Sequence, residues 1–116
     1  MMLFDKKIFR SVENSTGGDV GHETLFYYHQ QGDLVWAEYS GGAILKGFLI
    51  ATVDSNNKLN MRYQHVNTSG ELMTGICMST PEILANGRIR LHEKWQWTCG
   101  DCASGESIVE EITHES

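Results

Sequence analysis

Turn signals recur along this chain too closely for helices to fit between them. Seven clusters rich in Gly, Asn, Asp and Ser, at 15–19 (STGGD), 31–33 (QGD), 40–42 (SGG), 54–57 (DSNN), 67–70 (NTSG), 85–87 (ANG) and 99–105 (CGDCASG), divide it into eight segments. The segments read IFRSVEN, TLFYYHQ, LVWAEY, ILKGFLIATV, LNMRYQHV, LMTGICMS, RIRLHEKWQW and SIVEEI, most of them rich in β-branched and aromatic residues. Short strands at even spacing, joined by Gly, Asn and Asp turns, mark an all-β sandwich or barrel.

Alternation within the segments agrees. Leu59, Met61, Tyr63 and His65 share one face, opposite Asn60, Arg62 and Gln64. Ile89, Leu91, Glu93, Trp95 and Trp97 share another, opposite Arg88, Arg90, His92, Lys94 and Gln96. A period of two is that of a sheet with one dry and one wet side. Asn86-Gly87 suits a tight hairpin in which both central residues have positive φ. Pro81, the single proline, marks a bulge or the end of pairing in the sixth segment. Short loops favour sequential antiparallel neighbours, and an eight-stranded meander closes most economically into an up-and-down barrel that leaves no exposed edge. A β-sandwich is the rival. The 116 residues fit one domain.

Charge narrows the partners. The net charge is −6, and the one local basic cluster, Arg88, Arg90 and Lys94, encloses Glu93. Nucleic acid and anionic membranes are therefore poor partners. The N-terminus carries Asp5, Lys6 and Lys7 where a signal peptide needs apolar residues, and the longest apolar run, Phe48 to Val53, is far short of a membrane-spanning helix. The reading is a cytoplasmic protein, in keeping with three cysteines, an odd number that fits reduced thiols.

The stretches DLVWAEYSGG, GFLIATVD, LNMRYQHVNTSGELMTGIC and GRIRLHEKWQWT resemble a family of small bacterial proteins, some labelled N-acetylglutamate synthase. That label implies acetyl-CoA held by a glycine-bearing loop that opens a helix. The glycines of this chain fall instead in hairpin turns between strands. The eight-strand meander is separately similar to the lipocalin and fatty-acid-binding barrels, a likeness of fold that implies no function.

Few residues carry a chemical signal. Cys99-Gly100-Asp101-Cys102 is a CxxC in a Gly/Ser-rich turn, without the helix that would activate a redox thiol or the second ligand pair that zinc would need. The five histidines (His22, His29, His65, His92 and His114) show no metal-ligand spacing, and Ser40 and Ser79 lie in no nucleophile elbow, so no metal or cofactor is expected. Glu93, in phase with Leu91, Trp95 and Trp97, and Glu38, following Leu34 and Trp36, are carboxylates on otherwise apolar faces. Such a group inside a barrel must be paired, protonated or ligand-bound. His65 shares its face with Met61 and Tyr63.

Trp36, Glu38, Tyr63, His65, Glu93, Trp95 and Trp97 are thus the candidate ligand-binding residues. The sequence favours a non-catalytic barrel that binds a small apolar or amphipathic molecule. The alternatives are a small barrel enzyme using Glu93 or His65 as general base, and an interaction module with a filled core.

Overall fold

In a computed structural model, which describes residues 3–14 and 17–112, the chain forms eight antiparallel strands. They are β1 (Ile8–Asn14), β2 (Leu25–Gln31), β3 (Leu34–Gly41), β4 (Ile44–Val53), β5 (Leu59–Asn67), β6 (Leu72–Ile83), β7 (Ile89–Trp97) and β8 (Ser104–Ile112). Each pairs with its sequence neighbours, and β1 pairs with β8, so the sheet closes into a barrel in the order β1 to β8. The expected up-and-down barrel is the observed fold, and the sandwich is not.

One local expectation needs correction, and another holds on one side of its strand. The β6–β7 connection is not a two-residue turn: Leu84 O accepts from Gly87 N at 2.9 Å, and Leu84 N donates to Arg88 O at 2.8 Å. Ala85 and Asn86 are therefore the central residues of the turn, and only Gly87 (φ 85°) takes the left-handed conformation. A three-residue loop of this kind matches the strand twist with a single positive φ. Pro81, for its part, follows the end of pairing on one side of β6 only. Pairing with β5 ends at Ser79↔Leu59, whereas pairing with β7 continues through Pro81↔Leu91 to Ile83↔Ile89 without a register shift. The proline sits where the strand has lost one neighbour, so its missing N–H removes no ladder bond on that side.

The inside of the barrel is filled unevenly. At the end covered by residues 3–7, Phe4 is fully buried with its ring centroid 6.3 Å from that of Tyr28, and the Phe9 ring centroid is 4.8 Å from the same ring. Backbone bonds tie this segment to β2: Lys6 N to Tyr28 O and Tyr28 N to Lys7 O, both 2.9 Å. Buried Gln30 closes the corner by accepting from Phe4 N at 2.9 Å and donating to Gly32 O at 3.0 Å. Leu59, Ile89 and Leu91, all buried, belong to the same core. The opposite end carries the β1–β2, β3–β4, β5–β6 and β7–β8 loops, and there the packing is incomplete.

Phe4 acts as a stopper from outside the strand ladder, so its loss leaves a void that the wall cannot close. Phe4→Ala is expected to cost about 3–5 kcal/mol and to keep the β-sheet circular dichroism spectrum, as urea unfolding followed by tryptophan emission would measure.

Candidate functional site

Strand alternation delivers one set of side chains to the unfilled end. From β7 come Glu93, Trp95 and Trp97, from β5 Met61, Tyr63 and His65, and from β3 Tyr39; together with Asp19 of the β1–β2 loop they line a cavity of about 50 Å³. Since seating one water takes ~10–15 Å³ on this measure, the space suits roughly three or four waters or one small head group.

Two glycines in the wall make room for its aromatic rings. Tyr39 pairs across the sheet with Gly47, and a Cβ added there would sit 2.5 Å from Tyr39 ring atoms and 2.9 Å from the His65 Cβ. Gly75, paired with Tyr63, would likewise drive a Cβ into the phenol of that tyrosine. Glycine usually weakens a strand, so two at ring-facing positions record close approach of side chain to backbone.

At the rim, the tryptophans hold the β1–β2 loop. Trp95 Nε1 donates to Asn14 Oδ1 at 3.0 Å, and Trp97 Nε1 donates to the Gly17 carbonyl at 3.1 Å. Asn14 Nδ2 in turn donates to Val20 O at 3.0 Å. A second tether runs through His65, whose side chain is wholly buried: its Nε2 lies 2.9 Å from Asp19 Oδ2 and its Nδ1 lies 3.0 Å from the Tyr39 hydroxyl. Asn67 Nδ2 also donates to Asp19 Oδ2, at 3.3 Å. Both imidazole nitrogens are thus engaged within the protein.

Glu93 forms the floor. Its carboxylate accepts from Ser79 Oγ at 3.2 Å on β6 and from Ser107 Oγ at 3.1 Å on β8. The residue is half-buried in the barrel wall, and it lines both the cavity and a groove on the outer wall beside Lys58 and Lys94. Burial pushes its pKa up from 4.5 to about 7, against the two serine bonds, which favour the charged form. Burial likewise raises the Tyr39 and Tyr63 hydroxyls and the Cys77 thiol well above their ordinary ranges, keeping them neutral.

Five of the seven candidates, Tyr63, His65, Glu93, Trp95 and Trp97, meet at this cavity. Trp36 and Glu38 do not, and their assignment to an inner face is corrected. Val35, Ala37 and Tyr39 take the inside of β3, while Trp36 stacks on His29 of β2 with ring centroids 5.5 Å apart. Glu38 meets His29 Nε2 at 3.2 Å on the same outer wall. Both faces of LVWAEY are apolar, so alternation alone could not orient it; Val35 and Ala37 pack inside and the indole stays on the wall. Sequence reasoning missed Tyr39, in phase with Ala37, and the floor serines, which nothing marks as partners of a carboxylate. It also missed Asp19, which reaches the cavity from a loop that has no periodicity to read. Of the remaining groups, Arg62 is on the outer face with Nη1 on Asn60 Oδ1 at 2.8 Å, Cys99 Sγ packs against the Thr74 backbone, and His114 lies outside the described residues.

With this geometry established, comparison with known proteins is informative. The family model described as Avidin-like protein matches residues 2–112, nearly the whole chain. The chain belongs to the avidin-like protein family. This family comprises small barrels that bind small ligands such as biotin. No curated protein and no solved structure matches the chain. Nothing in these comparisons carries the synthase label, and the avidin-like barrel accounts for the lipocalin-like fold.

Two outcomes are expected. Gly47→Ala should cost about 1–3 kcal/mol, because Tyr39 is buried and tied by its hydroxyl, while Gly75→Ala should cost less, because half-buried Tyr63 can tilt outward; urea denaturation of both variants measures this. For Glu93, the raised native pKa means that the folded state binds the extra proton between about 4.5 and 7. Its contribution therefore falls as pH rises through that window, by on the order of 3 kcal/mol in all. Glu93→Gln should abolish that slope in stability measured from pH 4.5 to 8, and a slope unchanged from wild type would place the carboxyl in bulk water.

Proposed function

We propose that this avidin-like barrel is a non-catalytic binder of a small molecule, which enters at the loop end and seats its head group between the tryptophans and Glu93. One observation carries the reading: Phe4 is fully buried at one end of the barrel, and at the other a cavity opens above the half-buried carboxylate of Glu93. A fully packed interaction module would have no reason to hold Glu93 off the solvent with two serines and a raised pKa. The walls fit the same role, since aromatic rings with satisfied polar edges offer large apolar contact at fixed orientation.

A second reading, acid–base catalysis by Glu93, is favoured by a pKa of about 7. Against it stand the commitments of the polar groups nearest to it. His65 has both nitrogens bound, and Ser79 and Ser107 donate to Glu93 itself.

Trp36 lies outside, so Trp36→Phe leaves Trp95 and Trp97 as the only indoles and turns tryptophan emission into a report from the cavity. Biotin and a set of ring-sized fragments of positive, neutral and negative charge should include some that change this emission saturably. Their effect should disappear when Trp97 is also replaced by Ala. If no fragment of any charge gives a saturable change, and native mass spectrometry finds none bound, the cavity is not a ligand site.

A further inference from the structure

The chemistry of the lining is one-sided. Five aromatic side chains (Phe26, Tyr39, Tyr63, Trp95 and Trp97) surround the space with two carboxylates, Asp19 and Glu93. Among the described residues that line it, none is a lysine or an arginine. His65, able to carry a positive charge, is committed to Asp19 at 2.9 Å.

The rings are set at steep angles to one another. Trp97 lies 5.8 Å from Trp95 at 56° and 5.7 Å from Tyr63 at 60°. Aromatic faces are electron-rich and edges electron-poor. The most positive edge of each indole, its N–H, is already bonded within the protein, to Asn14 and Gly17. What the cavity offers a guest besides aromatic surface is a carboxylate with only two of its roughly four acceptor positions used by serines.

We propose that the cavity selects a compact organic cation bearing N–H donors, a guanidinium or amidinium head seated on Glu93 between the tryptophan rings. This rests on the cavity being a ligand site, and it names the charge of what binds there. The carboxylate accepts the N–H groups as a pair, a geometry that adds orientation to the charge-assisted bonds. The faces of Trp95 and Trp97 add cation–π attraction in a desolvated place, where it is strongest. A neutral donor would satisfy the acceptors but leave the buried charge unbalanced, and an anion would meet repulsion from Glu93 and Asp19.

The cation engages ionised Glu93, so binding weakens as pH falls through about 7. Facing Glu93 across the interior are Tyr28 from β2, Tyr39 from β3, Tyr63 and His65 from β5, Cys77 from β6 and Asp19 from the loop, with Asn14, Leu49 and Ser107 from β1, β4 and β8; on the outer wall Glu13, Lys58, His92, Lys94 and Glu106 share a groove with it. Burial keeps the three tyrosines and the cysteine neutral, which leaves Glu93 to be separated from His65 and Asp19 by mutation.

The test uses two five-membered rings of the same size, 2-aminoimidazolinium and neutral 2-imidazolidinone, titrated calorimetrically into the full chain and into Glu93→Gln. At pH 8 the cation should bind at least about tenfold more tightly than the cyclic urea. Glu93→Gln, its fold checked by circular dichroism, should lose about tenfold or more for the cation and less than about threefold for the urea. Lowering the pH from 8 to 6 should weaken cation binding to the wild type about tenfold, following the ionised fraction, and leave the variant unchanged. If Glu93→Gln does not fold, the wild-type charge preference and its pH dependence decide. Equal binding of urea and cation, or a preference that survives Glu93→Gln, overturns the proposal. If the urea or biotin binds and the cation does not, the ligand site stands and cation selectivity falls. If no probe of any charge binds, both fall.

Discussion

The pairing of β1 with β8 gives this protein an inside of fixed size. An open sheet can vary how it covers its apolar face, but a closed ring of eight strands encloses a volume that only inward side chains can fill. Every later feature is a response to that volume. Large rings are admitted where the wall carries glycine, at Gly47 and Gly75, and the seal at one end has to come from Phe4, outside the ladder. The closure is also locally imperfect: register shifts between Ser11 and Glu13 against β8, and near Tyr39/Gly41 and Ile44/Lys46 in the neighbouring pairs, bend the wall close to the open end.

How well the site could be read from sequence followed from how strongly each strand separates its two faces. On β7 one face is Ile89, Leu91, Trp95 and Trp97 and the other is charged, so Glu93 stood out as a carboxylate in apolar company. On β5 the same contrast placed Tyr63 and His65. On β3 there is no contrast: small apolar residues alternate with large ones, and size misdirected the choice toward Trp36 and Glu38. Tertiary volume, which a lone strand does not encode, decides which row turns inward. Asp19 lay beyond such reasoning altogether, because contact between a loop residue and His65 on β5 depends on barrel closure.

Electrostatically, the interior departs from the usual rule that buried charge is matched by an opposite charge. Glu93 is met by hydroxyls, and His65 by one carboxylate and one phenol. The floor is therefore held by dipoles and the rim by an imidazole and a carboxylate, which gives the two depths of one cavity different electrostatics.

The tethers of the β1–β2 loop have a thermodynamic corollary. Each one ends on a group that also lines the cavity: the indole of Trp95, the indole of Trp97, or the imidazole of His65. Swinging the loop aside strips hydrogen-bond partners from the very rings a guest would touch, and a guest that fixes those rings makes the loop harder to displace. Occupancy and loop closure are thus coupled. The factor by which a guest would favour the closed loop equals the factor by which closure would favour the guest, so the backbone of Gly18, Asp19 and Val20 would report on the cavity these residues help to line.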